Sequence, residues 1–142
     1  CLRDKERALV RARRALANGK LVLADRWPQD QLPGRLDGVR LSAWTDASGL
    51  AGRLARREAD FIRGVKLLAL RQIIILSIDP ETSLARKPGE LTREGAVSLI
   101  ADLDGISWPA GTRTTVIDAR RSADVVRDEI AASLWRGICE HG

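Results

Sequence analysis

The sequence has no methionine and no tyrosine, and only one phenylalanine and one histidine among its 142 residues. Because an intact translation product begins with methionine, either an initiator was removed or Cys1 is not the true start. The single histidine, His141, lies on a tail beyond the last predicted helix. A histidine-based catalytic triad and a histidine metal cluster are therefore excluded.

Cysteines and long apolar runs are scarce as well. The two cysteines, Cys1 and Cys139, lie at opposite ends of the chain without metal-ligand spacing, which favours a reducing, cytoplasmic setting. The longest apolar stretch, residues 65–78, is broken by two cations and a glutamine, and the first twenty residues are charged throughout. We therefore expect no membrane span and no signal peptide.

Charge is abundant and mostly arginine. Twenty arginines and four lysines face 19 acids, for a net charge of +5, which suits either nucleic acid or phosphorylated small molecules as partners. Four tryptophans and one phenylalanine give no basic-aromatic interleaving, and the arginines are spread along the chain, which argues against a dedicated nucleic-acid surface. The arginine stripe of the first helix, Arg7, Arg11 and Arg14, is interpreted as a solvated face.

Hydrophobic periodicity predicts a single domain in which helices alternate with strands, and 44% hydrophobic content in 142 residues is enough for a core. Such alternation is typical of an α/β fold, a three-layer parallel sheet with helices on both faces. The predicted elements are helices over 4–18 and 46–64, strands over 21–25, 72–78 and 113–118, a lid region with a helix over 80–103, and a last helix over 122–138.

The stretch K-L-V-L-A-D-R-W-P, residues 20–28, ends an apolar run in an acid, a guanidinium and two rigid residues. Its apolar part predicts a strand buried on both faces, with Asp25 and Arg26 at the carboxyl end, where parallel α/β sheets bind ligands. Asp25 could hold a metal ion or its water shell, and Arg26 could grip a phosphate through two parallel hydrogen bonds. The alternative is an ion pair that closes a strand.

Three further features are candidates for function. The loop over residues 27–41 is long for a compact domain and follows directly on Arg26. Glu58 falls within an apolar helical stripe, so it needs either a structural partner or a substrate. Arg86, Lys87 and Arg93 flank a Pro-Gly break, which predicts a mobile basic flap or an ordinary polar loop.

Three segments together resemble the thymidylate kinases and their nucleoside and nucleotide kinase relatives among the P-loop phosphotransferases. The segments are A-L-x-x-G-K-x-V-x-x-D-R-W at 15–27, I-L-S-I-D-P-E-T-S-L-A-R-K-P at 75–88 and V-I-D-A-R-R-S-A-D-V-V-R-D-E-I at 116–130. The resemblance implies phosphoryl transfer from ATP with Mg²⁺ to a small phosphorylated or hydroxyl acceptor. It places Arg26 on the transferred or acceptor phosphate, Asp25 near the magnesium ion, Arg86, Lys87 and Arg93 in a lid over ATP, and Arg120 beside the adenine.

The chain departs from that family in two places. It contains no G-x-x-x-x-G-K-[ST] loop, and Pro28 and Gln29 replace the polar residues that help to seat thymidine. We therefore expect the C-terminal two thirds of a longer kinase-like protein, or of one that another chain completes. A homodimer is a separate expectation for its assembly. A degenerate kinase fold that only binds a partner or a nucleotide is the second hypothesis, and a basic nucleic-acid-binding domain is the third.

Overall fold

The structure is a computed structural model that describes residues 2–66, 68 and 70–139. The chain divides into two compact units, residues 1–69 and 70–142. The described residues form five α-helices and one parallel sheet of two strands, so the α/β class is confirmed. No helix within these described ranges is long and apolar enough to cross a membrane.

The first unit packs two helices around a small apolar core. Helix α1 spans Leu2–Ala17 and helix α2 spans Gly49–Lys66, and a 3₁₀ turn at Ser42–Trp44 precedes α2. Arg13 of α1 donates from Nη2 to the Gly64 carbonyl at 2.8 Å, which fastens the two helices together. One face of α2 supplies the buried core, Phe61, Ile62 and Val65, against which pack Leu2, Leu9, Trp27 and Val39.

No strand forms over residues 21–25, and the prediction of one is wrong. The backbone there is irregular, and the side chains of Leu21 and Leu23 are 60% and 67% exposed. An apolar run becomes a strand only where a neighbouring strand satisfies its backbone groups. No described segment of the first unit pairs with residues 21–25.

The second unit contains the sheet. Strand β1, Gln72–Ser77, pairs in parallel with strand β2, Arg113–Asp118, with Gln72 opposite Arg113 and Ser77 opposite Asp118. The parallel pairing predicted for these two segments is confirmed. Helices α3, Pro80–Arg86, and α4, Arg93–Asp104, form the crossover that parallel strands require, and α5, Ala123–Cys139, packs on β2.

Side chains divide the sheet into a covered face and an exposed face. Ile117 is 3% exposed, and the hydroxyl of Thr115, two residues before it, lies 3.3 Å from the Ser133 hydroxyl of α5. Val116, between them, is 64% exposed, since successive side chains of a strand point to opposite faces. The sheet is therefore covered on one face in this structure, whereas the sequence predicts helices on both faces.

Candidate functional site

The carboxyl ends of β1 and β2 bring two carboxylates to one edge of the sheet. Asp118 is the last residue of β2, and Asp79 follows the end of β1 by two residues. The Ala119 N–H donates to the Ser77 carbonyl at 2.8 Å, so the pairing of the strands continues into the segments that carry both acids. This edge, with Asp79, Asp118 and the loop over residues 119–121, is called the sheet edge below.

Asp79 is the N-cap residue of α3. Its Oδ1 accepts the Thr82 N–H at 2.8 Å and its Oδ2 accepts the Thr82 hydroxyl at 2.7 Å. The backbone hydrogen bond, then the hydroxyl, hold the pKa of Asp79 below its usual value, with a smaller contribution from the charge of Arg120. The Arg120 guanidinium therefore acts electrostatically on both acids of the sheet edge.

Asp118 and Arg120 form a tight local pair. Asp118 Oδ1 accepts the Arg120 backbone N–H at 3.0 Å and Nε at 2.8 Å, and Oδ2 accepts Nη2 at 2.8 Å. The side-chain hydrogen bond from Arg120 is the largest cause of a strongly lowered Asp118 pKa, and the same contact raises the pKa of Arg120. The predicted adenine-side residue is thus folded back onto the end of its own strand.

Asp118→Asn is expected to flatten the pH dependence of stability on the acid side. Because the folded-state pKa of Asp118 lies below its unfolded value, its contribution is fully present above about pH 4 and is lost as the pH falls toward the folded pKa. Melting temperatures of both proteins between pH 2 and pH 7 measure the effect. If the melting temperatures of the two proteins fell with the same slope below pH 4, the contact between Asp118 and Arg120 would contribute nothing to folding.

Arg86 holds the loop that follows β2. Its Nη1 donates to the Ala119 carbonyl at 2.7 Å, and its Nη2 donates to the carbonyls of Arg120 and Arg121, each at 3.3 Å. Arg121 in turn pairs with Glu129 of α5, which raises the pKa of Arg121. Arg86 was predicted to belong to a lid, and here its guanidinium fixes three consecutive carbonyls of the sheet edge.

The other two predicted lid cations pair with surface acids. Lys87 Nζ lies 3.2 Å from Glu90 Oε2, and Arg93 Nη2 lies 2.5 Å from Glu81 Oε1. Between them Gly89 has φ +82°, a conformation that lets the chain turn from α3 to α4 and that a side chain would strain. The segment is therefore a short turn in which Lys87 and Arg93 contact different carboxylates.

In the first unit, the D-R-W motif separates its three side chains. Asp25 is exposed, while Trp27 packs against the Phe61, Ile62 and Val65 core. Arg26 has φ +65°, in the left-handed region that disfavours residues with a Cβ, and its side chain is 74% exposed. Its Nη1 lies 3.7 Å from Asp37 Oδ2, so the guanidinium stands at the surface with one distant carboxylate beside it.

A buried glutamine builds the loop that carries Asp37. Gln29 is 5% exposed, and its Nε2 donates to the carbonyls of Leu32, Arg35 and Leu36 at 3.3, 2.9 and 3.2 Å. Its Oε1 accepts the Leu32 N–H at 2.8 Å. Sequence reasoning missed this role, because Gln29 was seen only as a departure from a family pattern. The Pro and Gly residues that surround it were the available signal for a self-contained loop.

Glu58 joins the end of that loop to α2. Its Oε2 accepts the backbone N–H groups of Arg40 and Leu41 at 2.9 and 2.8 Å. Of the two roles left open for this carboxylate, the structure supplies a structural partner, the backbone at the end of the loop. The loop over residues 29–41 is therefore held at both ends.

Metal ligands are sparse among the residues that the structure describes. No group of three His, Cys, Asp or Glu side chains in those ranges could hold a metal ion. Asp25 can supply a single carboxylate oxygen, which is compatible with Mg²⁺ only where phosphates and water complete the coordination. Cys1 and His141 lie outside the described residues.

Comparison with known proteins gives one informative match. A stretch of 71 residues is 37% identical to YghS, an uncharacterized ATP-binding protein of Escherichia coli strain K12. The match covers 49% of the present chain and 30% of YghS, so it spans less than a third of that relative's length. No protein-family model matches the chain. No solved structure matches it either.

Proposed function

We propose that this chain is part of an ATP-dependent phosphotransferase of the thymidylate kinase type, acting on a nucleotide, a nucleoside or a related small acceptor. The observation that carries the proposal is the sheet edge, where Asp79, Asp118, Arg120 and the Arg86-bound loop meet at the carboxyl ends of two parallel strands. Ligands of open α/β sheets bind at such an edge. Similarity to a protein described as ATP-binding supports a nucleotide as the ligand.

In the proposed enzyme Arg120 and the loop over 119–121 flank the adenine, and Arg86 positions them by holding the loop carbonyls. Arg26 grips the phosphate of the acceptor or the phosphoryl group in transfer, for which its exposed guanidinium is suited. Lys87 and Arg93 would leave their surface carboxylates to close over ATP, and Asp25 would hold Mg²⁺, whose charge would offset that of the phosphates.

The proposal requires a glycine-rich phosphate loop that these 142 residues do not contain. We propose that it is supplied from outside them, either by a preceding segment or by a different chain, together with the strand that residues 21–25 need as a neighbour. The sheet would then have the three layers predicted from the sequence. That the match to YghS covers only 30% of that protein agrees with a longer functional unit.

A second candidate is a kinase-like module that binds a nucleotide or a partner without catalysis. This alternative is favoured by the contacts that the three candidate cations already make. Arg86 donates hydrogen bonds to three carbonyls, and Lys87 and Arg93 each pair with a glutamate. In this alternative these contacts are permanent, and the basic residues never reach a phosphate.

Calorimetry with Mg-ATP distinguishes the possibilities. We expect the 142-residue chain alone to bind ATP more weakly than micromolar, because it lacks the nest of backbone amides and the lysine that hold the phosphates. Micromolar binding would contradict our placement of the missing loop.

In a protein extended to include that loop, we expect phosphoryl transfer to a nucleotide or a nucleoside. Tight ATP binding without transfer to any member of an acceptor panel would favour the non-catalytic module.

A further inference from the structure

Helix α1 carries a row of arginines along one side. Arg3, Arg7, Arg11 and Arg14 recur at intervals of three or four residues, which places them on the same face of the helix. They line an open groove between α1 and α2 together with Val10, Glu6 and Arg57. This set of four arginines is called the arginine row below.

Glu6, the acid that lines the groove, does not neutralise this row, because it is already paired with Arg57 of α2. Arg57 Nε donates to Glu6 Oε1 at 2.6 Å, and Arg57 Nη2 pairs with Glu6 Oε2. Within residues 2–66, 68 and 70–139, the side chains of Arg7, Arg11 and Arg14 have no carboxylate partner. By contrast Arg13, on another face of α1, is bound to the Gly64 carbonyl. Within those ranges, therefore, three cations of the row are not neutralised by a carboxylate.

We propose that the arginine row binds the sugar-phosphate backbone of a nucleic acid strand. The row spans twelve residues, or about 16.5 Å of helix, so its four guanidinium groups can face several successive phosphates of one strand. A compact anion would contact one or two of these arginines and leave the others unpaired. A linear chain of phosphates engages the whole row.

The lining of the groove argues against an acidic protein as the ligand. Its one apolar member is Val10, 47% exposed, whereas protein interfaces depend on buried apolar or aromatic anchors. The lining residues also include no aromatic ring, so bases have no platform on which to stack. Recognition is thus confined to phosphates and is independent of base sequence, so Arg7, Arg11 and Arg14, interpreted from the sequence as a solvated face, form a phosphate-binding surface that needs no aromatic residue.

Fluorescence anisotropy with a labelled fifteen-residue oligothymidylate tests this inference on the 142-residue chain. With four phosphates neutralised, the slope of log K against log salt should be about −2.8, equivalent to roughly a fifty-fold loss of affinity between 50 and 200 mM salt. The triple variant Arg7→Ala, Arg11→Ala, Arg14→Ala should bind at least tenfold more weakly at 50 mM salt, and its slope should fall to about −0.7.

The matched control is the triple variant Arg63→Ala, Arg127→Ala, Arg136→Ala. It removes the same three charges from a net charge of +5, at exposed positions on α2 and α5, and should retain most of the affinity. Equal losses in the two triple variants, or no binding by the parent chain at 50 mM salt, would overturn the proposal. Tighter binding of polyglutamate of equal charge, lost in the first variant only, would also overturn it and assign the row to an acidic protein.

Discussion

Gly38→Ala is expected to disrupt the loop over residues 29–41 and to lower the free energy of unfolding of the first unit by about 3 kcal/mol. A Cβ built at Gly38 would lie 1.9 Å from the Leu32 carbonyl oxygen, 2.8 Å from the Arg35 carbonyl oxygen and 2.8 Å from Gln29 Nε2. Two of these neighbours are backbone atoms, so they cannot rotate away. Both carbonyls accept from Gln29, and moving them breaks the hydrogen bonds that organise the loop.

Thermal and denaturant unfolding measure this effect, and Gly64→Ala is the control within the same unit. A Cβ at Gly64 would meet only the ends of the Arg13 and Leu9 side chains, at 3.3 and 3.4 Å, inside a helix where alanine is favoured over glycine by about 1 kcal/mol. The control should change the free energy of unfolding far less than Gly38→Ala does, because the Arg13 and Leu9 side chains need to yield by only a few tenths of an ångström. If Gly38→Ala is as stable as the parent, the Gln29 loop is not the close-packed unit described here.

Sequence reasoning succeeded where local pattern decides the structure. The β-branched run before Asp79 and the R-T-T-V-I-D segment became β1 and β2 in the predicted parallel pairing, with boundaries within one residue. Thr92, a residue type favoured at helix N-caps, accepts the Gly95 N–H at 3.1 Å at the start of α4. In each case the determining residues lie within a few positions of one another, so the sequence contains the information.

It failed where the outcome depends on a distant partner. Residues 21–25 have the composition of a strand, but a strand also needs a neighbour, and composition cannot supply one. Arg86 contacts carbonyls 33 to 35 residues away, and Glu58 contacts amides 17 and 18 residues away. Backbone groups are the same at every residue, so these bonds leave no trace in side-chain patterns. The partners of a candidate arginine therefore cannot be predicted from its motif.

Arg26→Ala is expected to slow phosphoryl transfer by the proposed kinase, completed with its phosphate loop, about a hundredfold or more, equivalent to roughly 3 kcal/mol of transition-state stabilisation. The same substitution should change the free energy of unfolding by only about 0 to 1 kcal/mol, since Arg26 is 74% exposed and its one carboxylate neighbour is 3.7 Å away. Arg26→Lys keeps the charge but loses the two-pronged geometry, so its rate should lie between those of the parent and the alanine variant.

The backbone of Arg26 offers a second way to separate folding from function. At φ +65° a residue with a Cβ is strained, so Arg26→Gly should be more stable than Arg26→Ala by about 1 kcal/mol and yet equally slow, because both lack the guanidinium. Arg63→Ala is the matched control: Arg63 is also 74% exposed and pairs with a single aspartate, Asp60, but it lies away from the motif and should leave the rate unchanged. Rates that followed stability across these variants, with Arg26→Gly faster than Arg26→Ala, would make Arg26 a structural residue. Loss of rate in both variants, with parent-like melting, would place Arg26 on the phosphate.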